Sequence, residues 1–197
     1  LLEGMKAAHT AGVIHRDLKP ENVLLTNPKP GQSQLKILDF GLAKLRNVGG
    51  SDPDAPTAKQ QSLTAPGTVM GTLSYMSPEQ LSGEEVDERS DIFALGVMVV
   101  EALTGERPFH GNSMTELLTA ILQHPYRLPG NSPEELRLNE VLQRCLAKSR
   151  RDRCATIAEM QAALIPTLRA CSSSPETEAR PAVDKLAYSS SEETIRF

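Results

Sequence analysis

The sequence predicts a mainly α-helical lobe that carries one short β-hairpin, and three observations predict it. Residues 92–103, 113–123, 133–147 and 156–170 hold apolar side chains at helical spacing, with breaks at Pro125, Pro129-Gly130 and Ser132-Pro133. Two short β-type runs, Val23-Leu24-Leu25 and Leu35-Lys36-Ile37-Leu38, flank the turn cluster Asn27-Pro28-Lys29-Pro30-Gly31, the pattern of a hairpin. Ahead of it, the polar run His15-Arg16-Asp17-Leu18-Lys19-Pro20-Glu21-Asn22 lies between apolar stretches at 11–14 and 23–25, which anchor it as a loop.

Residues 1–10 are the end of an amphipathic helix, with Leu1, Leu2, Met5, Ala8 and His9 at helical spacing and a stop near Gly12. No capping residue precedes them and the chain opens with Leu1, so it is expected to begin inside a helix and to be a fragment. After the polar loop and the hairpin comes Asp39-Phe40-Gly41, where Gly41 allows a sharp backbone turn. A long polar segment follows up to Ser77, and its middle, residues 49–56, is rich in turn and disorder formers. Hydroxyls at Thr57, Ser62, Thr64, Thr68 and Thr72 are candidates for modification, most of them expected to be merely solvated.

Residues 92–103 form the most apolar helix. Ile92, Phe93, Leu95, Val97, Met98, Val99, Val100 and Leu103 leave no clear polar face, so it is expected to be buried nearly all round. Asp91 suits its positive N-terminal end, and Thr104-Gly105 ends it. A domain over 1–170 is expected, with the Ser-rich, acidic residues 171–197 as a disordered tail or linker.

Composition narrows the partners. A formal net charge of -4 gives no global basic field, so nucleic acid is not an expected partner. Cys145, Cys154 and Cys171 lack metal-ligand spacing and cannot all pair, which reads as reduced thiols in the cytoplasm. No apolar run approaches the ~20 residues of a membrane span. An anchor elsewhere in a longer parent stays open.

The polar loop places a carboxylate, an ammonium and an amide close together. An Asp takes a proton from a hydroxyl, a Lys holds a phosphate, and an Asn oxygen ligates Mg²⁺, which is the inventory that phosphoryl transfer needs. The order His-Arg-Asp-Leu-x-x-x-Asn, followed by Asp39-Phe40-Gly41 and Ser77-Pro78-Glu79, resembles the catalytic-loop, metal-binding and activation-segment-closing motifs of protein kinases. Over residues 1–170 the chain resembles the C-terminal lobe of a eukaryotic-like serine/threonine protein kinase, of the type also found in bacteria.

That resemblance implies a reaction and roles. ATP and Mg²⁺ are the implied cofactors, and protein Ser or Thr hydroxyls the implied acceptors. Asp17 and Lys19 are the implied catalytic pair, and Asn22 and Asp39 the metal ligands. Leu24 is either a contact under the adenine ring or ordinary core. His15 supports the loop, Asp91 is expected to hold its backbone, and Glu79 is expected to pair with Arg153. Thr72 belongs to the substrate platform and, with Lys19, to the serine/threonine-specific pattern. Arg16 is the implied receiver of a phosphate on Thr68, or on Thr64.

A kinase also needs a glycine-rich phosphate loop, a strand Lys and a helical Glu, and residues 1–197 supply no such pattern. An N-terminal lobe is therefore an implied partner, and the chain by itself is expected to be inactive. A non-catalytic binding or regulatory module derived from a kinase is the alternative; an all-α interaction domain with accidental motifs is a third reading.

Overall fold

The computed structural model describes residues 1–29, 32–40, 71 and 73–173, with the side chains at 27–29, 32 and 173 left aside. The predicted segment from 41 to 70, Thr72 and the tail from 174 lie outside the described residues. The chain opens with α1 (Leu2–Thr10), whose one buried side chain is Met5. A 3₁₀ turn at Pro20–Asn22 leads into strand β1 (Val23–Lys29), which pairs antiparallel with β2 (Gln32–Ile37). Helices α2 (Pro78–Leu81), α3 (Arg89–Thr104), α4 (Met114–Gln123), α5 (Pro133–Cys145) and α6 (Ile157–Ser173) complete the lobe.

The hairpin is longer than its apolar runs predicted. Asn27-Pro28-Lys29, expected in the turn, belongs to β1. The register shifts between Thr26 and Lys29, and among the described residues the sheet has two strands. Pro is tolerated on an edge strand at such an irregularity because no ladder bond is required of it there. Val23 pairs with Ile37 and Leu25 with Leu35, and Val23, Leu35 and Ile37 meet the helical core. Leu24 pairs with Lys36, so the period of two places both on the opposite face.

Helix α3 is the post of the lobe. Every residue from Ser90 to Val97 is buried, but its last two turns are not enclosed: Met98, Val99 and Leu103 are half-buried and Ala102 is exposed. The expectation of burial all round thus fails at the C-terminal end. Gly96 is where α3 meets α5, since a Cβ there would lie 3.0 Å from Cys145 Cβ and 3.1 Å from Leu146 Cδ2. Gly105 closes the helix at φ 76, donating its N–H to Glu101 O at 2.8 Å. Helix α5 packs on α3 and α6, and α1 lies against α6. Serines cap the outer helices: Ser113 accepts from Glu116 N, and Ser132 forms a capping box with Glu135.

Helix α6 runs through Pro166 to Ser173, so residues 171–173, assigned from sequence to the tail, are helical. All three cysteines are free, with Cys145 and Cys154 buried. The neighbouring Cys154 side chain, and then burial, push the Cys145 thiol up. Among the described residues no helix is long and apolar enough to cross a membrane.

Candidate active site

The loop at 15–22 is held from below by α3. Asp91, 1% exposed, accepts the His15 N–H at Oδ2 and the Arg16 N–H at Oδ1, both at 2.8 Å. Two charge-assisted bonds from successive amides fix the loop's entry to the helix N-terminus. The His9 ring nitrogen Nε2 also meets Asp91 Oδ2 at 2.8 Å, which ties α1 into the same carboxylate. Arg16 has φ 66, in the left-handed region. For a residue with a branched-off side chain that conformation costs about 1–3 kcal/mol, so the surrounding bonds must hold it.

His15 is fully buried and joins the loop to the segment after β2. Its Nε2 meets Leu38 O at 2.8 Å, while Nδ1 accepts the Asp17 N–H at 3.3 Å. The acceptor role of Nδ1 puts the ring hydrogen on Nε2, donating to the carbonyl. Phe40 stands against the same ring at a centroid distance of 4.8 Å. Leu38 N–H donates to Asn22 O at 2.8 Å, so the two loops are bonded at a second point. These contacts bring Asp39 beside Asn22.

The acidic and amide groups have complementary roles. Lys19 Nζ donates to Asp17 Oδ2 at 3.0 Å, and Asn22 Nδ2 donates to Asp17 O at 2.7 Å and to Oδ2 at 3.3 Å. Asp17 Oδ1 accepts no bond from the described residues, and the side chain is 45% exposed. Its second oxygen is therefore unengaged among the described residues. Asn22 directs its N–H groups to Asp17 and makes no bond through Oδ1 among the described residues. The exposed Asp39, at φ 53, likewise has no bonded partner among them. The Asp39 carboxylate and the Asn22 amide oxygen, both with free lone pairs, suit Mg²⁺, which binds through one or two carboxylates plus phosphate oxygens. The residues present fit that ion.

A second cluster fixes α2. Glu79 is 4% exposed, and its two oxygens accept from Arg153 Nη1 at 2.7 Å and Nη2 at 2.8 Å. Ser90 Oγ adds a bond to Oε1 at 2.5 Å. Arg153 also donates from Nε to Ala147 O, from Nη1 to Arg89 O and from Nη2 to Lys148 O, which engages all five of its N–H groups. Burial disfavours the Glu79 carboxylate, yet the bonds from Arg153 and Ser90 and the guanidinium charge outweigh it and bring the carboxyl down to about 2. The guanidinium lies 5.0 Å from the Phe93 ring centre, and Phe109 stacks on Phe93 at 5.9 Å. Lys148 covers Phe109 at 3.6 Å and donates to Ile121 O at 2.7 Å; burial, then the nearby Arg153, lowers it to about 7.

The segment leading into α2 has its own anchor. Tyr75 OH donates to Glu101 Oε2 at 2.5 Å, and burial followed by that carboxylate pushes the phenol up. Arg107 bonds Ser74 Oγ at 3.0 Å and Gly71 O at 3.3 Å.

A model of the "Protein kinase domain" family matches residues 1–164. The chain belongs to the protein kinase family. It is similar to the "Serine/threonine-protein kinase pkn3" of Myxococcus xanthus, 37% identical over 168 residues, covering 83% of this chain and 29% of that relative. The "Serine/threonine-protein kinase Pkn1" of the same organism is 38% identical over 164 residues, with 82% and 22% covered. The "Serine/threonine-protein kinase PknB" of Mycobacterium tuberculosis is 34% identical over 165 residues, with 83% and 24% covered. The chain spans about a quarter of the length of these curated relatives.

Within this kinase domain the structure gathers Asp17, Lys19, Asn22, His15 and Asp91 into one bonded cluster, with Asp39 adjacent. Glu79 and Arg153 form a separate one, and Leu24 lies on the outer face of the hairpin. The Arg16 guanidinium makes no hydrogen bond or ion pair among the described residues, and Thr64, Thr68 and Thr72 lie outside them. Sequence reasoning missed His9, Ser90 and Gln80. Only the last carried a local signal, the capping pattern Ser77-x-x-Gln80.

Proposed function

We propose that this chain is the catalytic half of a serine/threonine protein kinase, transferring the γ-phosphoryl of MgATP to protein hydroxyls. The observation that carries this reading is the state of the carboxylate at position 17: one oxygen is braced by Lys19 and Asn22, the other is open, and the side chain is half-exposed. MgATP, when bound, supplies the phosphoryl group and the divalent charge. Asp17 orients the acceptor hydroxyl and takes its proton at Oδ1. General-base help of this kind contributes ~10²–10⁴-fold. Lys19, bonded to Asp17 Oδ2, would also steady the transferring phosphate with its ammonium. Asn22 Oδ1 and the Asp39 carboxylate would hold the metal.

Leu24, on the face of the hairpin turned from the core, would lie under the adenine ring. Thr72 would belong to the substrate platform, and an N-terminal lobe would complete the nucleotide site. The reaction would take place in the cytoplasm. The full-length gene product incubated with ATP, Mg²⁺ and a mixture of Ser, Thr and Tyr peptides tests the reading by mass spectrometry. Phosphate on Ser and Thr, dependent on Mg²⁺, is expected. No transfer at all, or transfer confined to Tyr, contradicts it.

A further inference from the structure

We infer that Gln80 is a positioning residue for Asp17, transmitting the anchorage of α2 to the catalytic loop. This deepens the phosphotransfer reading above and rests on it. The Gln80 side chain uses both ends of its amide. Oε1 accepts the Ser77 N–H at 3.0 Å and the Ser77 hydroxyl at 3.1 Å, which closes the cap of α2. Nε2 donates to Arg16 O at 2.6 Å, 64 residues away in sequence.

That carbonyl belongs to the peptide unit joining Arg16 to Asp17. The N–H of the same unit donates to His15 Nδ1 at 3.3 Å. One peptide plane is thus held at its oxygen by Gln80 and at its nitrogen by His15, and the bond at the oxygen is the shorter one. The orientation of that plane sets the direction in which the Asp17 side chain leaves the backbone. The preceding residue needs the help, because Arg16 sits at φ 66 and its own N–H is held by Asp91. Helix α2 is in turn fixed by the Glu79–Arg153 pair one residue before Gln80. A continuous line of short bonds therefore runs from Arg153 through α2 and Gln80 to the peptide of Asp17.

Gln80→Glu separates positioning from capping. A glutamate at this third helical position still accepts from Ser77, as in a capping box, but has no N–H to give Arg16 and sets a carboxylate against its carbonyl. In the full-length gene product, kcat should fall on the order of 10²-fold, the loss typical of a displaced reacting group, while KM for MgATP and the melting temperature stay close to wild type. Gln80→Met, similar in length and without the donor, should lose kcat comparably and guards against a variant disturbed by charge alone. An active wild type with unchanged kcat in both variants overturns the positioning role and leaves the phosphotransfer reading standing. A kcat loss only in proportion to lost folded protein overturns it too. A wild type that transfers no phosphate sinks the function itself, and this role with it.

Discussion

At the scale of single residues, the site depends on which lone pairs and N–H groups are already engaged. Asp91 uses both oxygens on loop amides, so it acts as a fixed anchor and not as chemistry. Asp17 is the opposite case, braced through one oxygen and open at the other. Arg16 holds its backbone in the loop while its guanidinium remains without a partner among the described residues. A guanidinium without a partner among the described residues, one position before the proposed base, would receive a doubly charged phosphate, whose pairing with Arg is strong and bidentate. We therefore expect Thr68 to be phosphorylated in the active full-length protein, and Thr68→Ala to lower its activity. Phosphate mapping by mass spectrometry checks the first and kinetics the second. An unmodified Thr68 with a fully active variant would move the switch to Thr64 or remove it.

At the scale of elements, α2 is a single turn that would not stand by itself, since a helix this short is far from self-sustaining in water. The buried Glu79–Arg153 pair holds it. Breaking such a pair by removing one partner strands the other charge and costs ~3–5 kcal/mol. For a domain of this size Arg153→Ala should lower the melting temperature on the order of 10 °C, and calorimetry that finds it unchanged would mean the pair contributes nothing. The pair also shapes acid stability. Glu79 falls from an ordinary value near 4.5 to about 2 in the folded chain. A depressed carboxyl stabilises the fold above its unfolded value, and that contribution fades as pH drops from about 4.5 toward 2. Glu79→Gln should flatten the stability profile in that window, measured by denaturant unfolding at successive pH values.

The same elements show what is legible in the chain. Helix α3 could be read because its apolar run is nearly unbroken, and α4 and α5 because Ser113 and Ser132 mark their starts. The reach of β1 could not, because Asn27-Pro28 is a turn signal that a two-stranded sheet overrides at a register shift. Asp17, Lys19 and Asn22 stand within six residues, so their meeting is local and visible. The bonds from His9 to Asp91 and from Gln80 to Arg16 join residues 82 and 64 positions apart, and no local pattern encodes them.

At the scale of the whole molecule, the proposed base and metal ligands lie on the loop at 15–22 and on the segment after β2 that is bonded to it, while residues 1–197 contain no glycine-rich phosphate loop. This stretch expressed by itself should bind MgATP only weakly and turn over negligibly; calorimetry showing micromolar affinity would mean the lobe suffices as a nucleotide site. The decisive comparison is phosphate transfer by the full-length gene product and its Asp17→Asn variant. Asn keeps the shape of the side chain and removes the base, so a folded variant should lose ~10²–10⁴-fold in kcat. A variant that melts like wild type and turns over at a near-normal rate would contradict the assignment of Asp17 and the mechanism built around it.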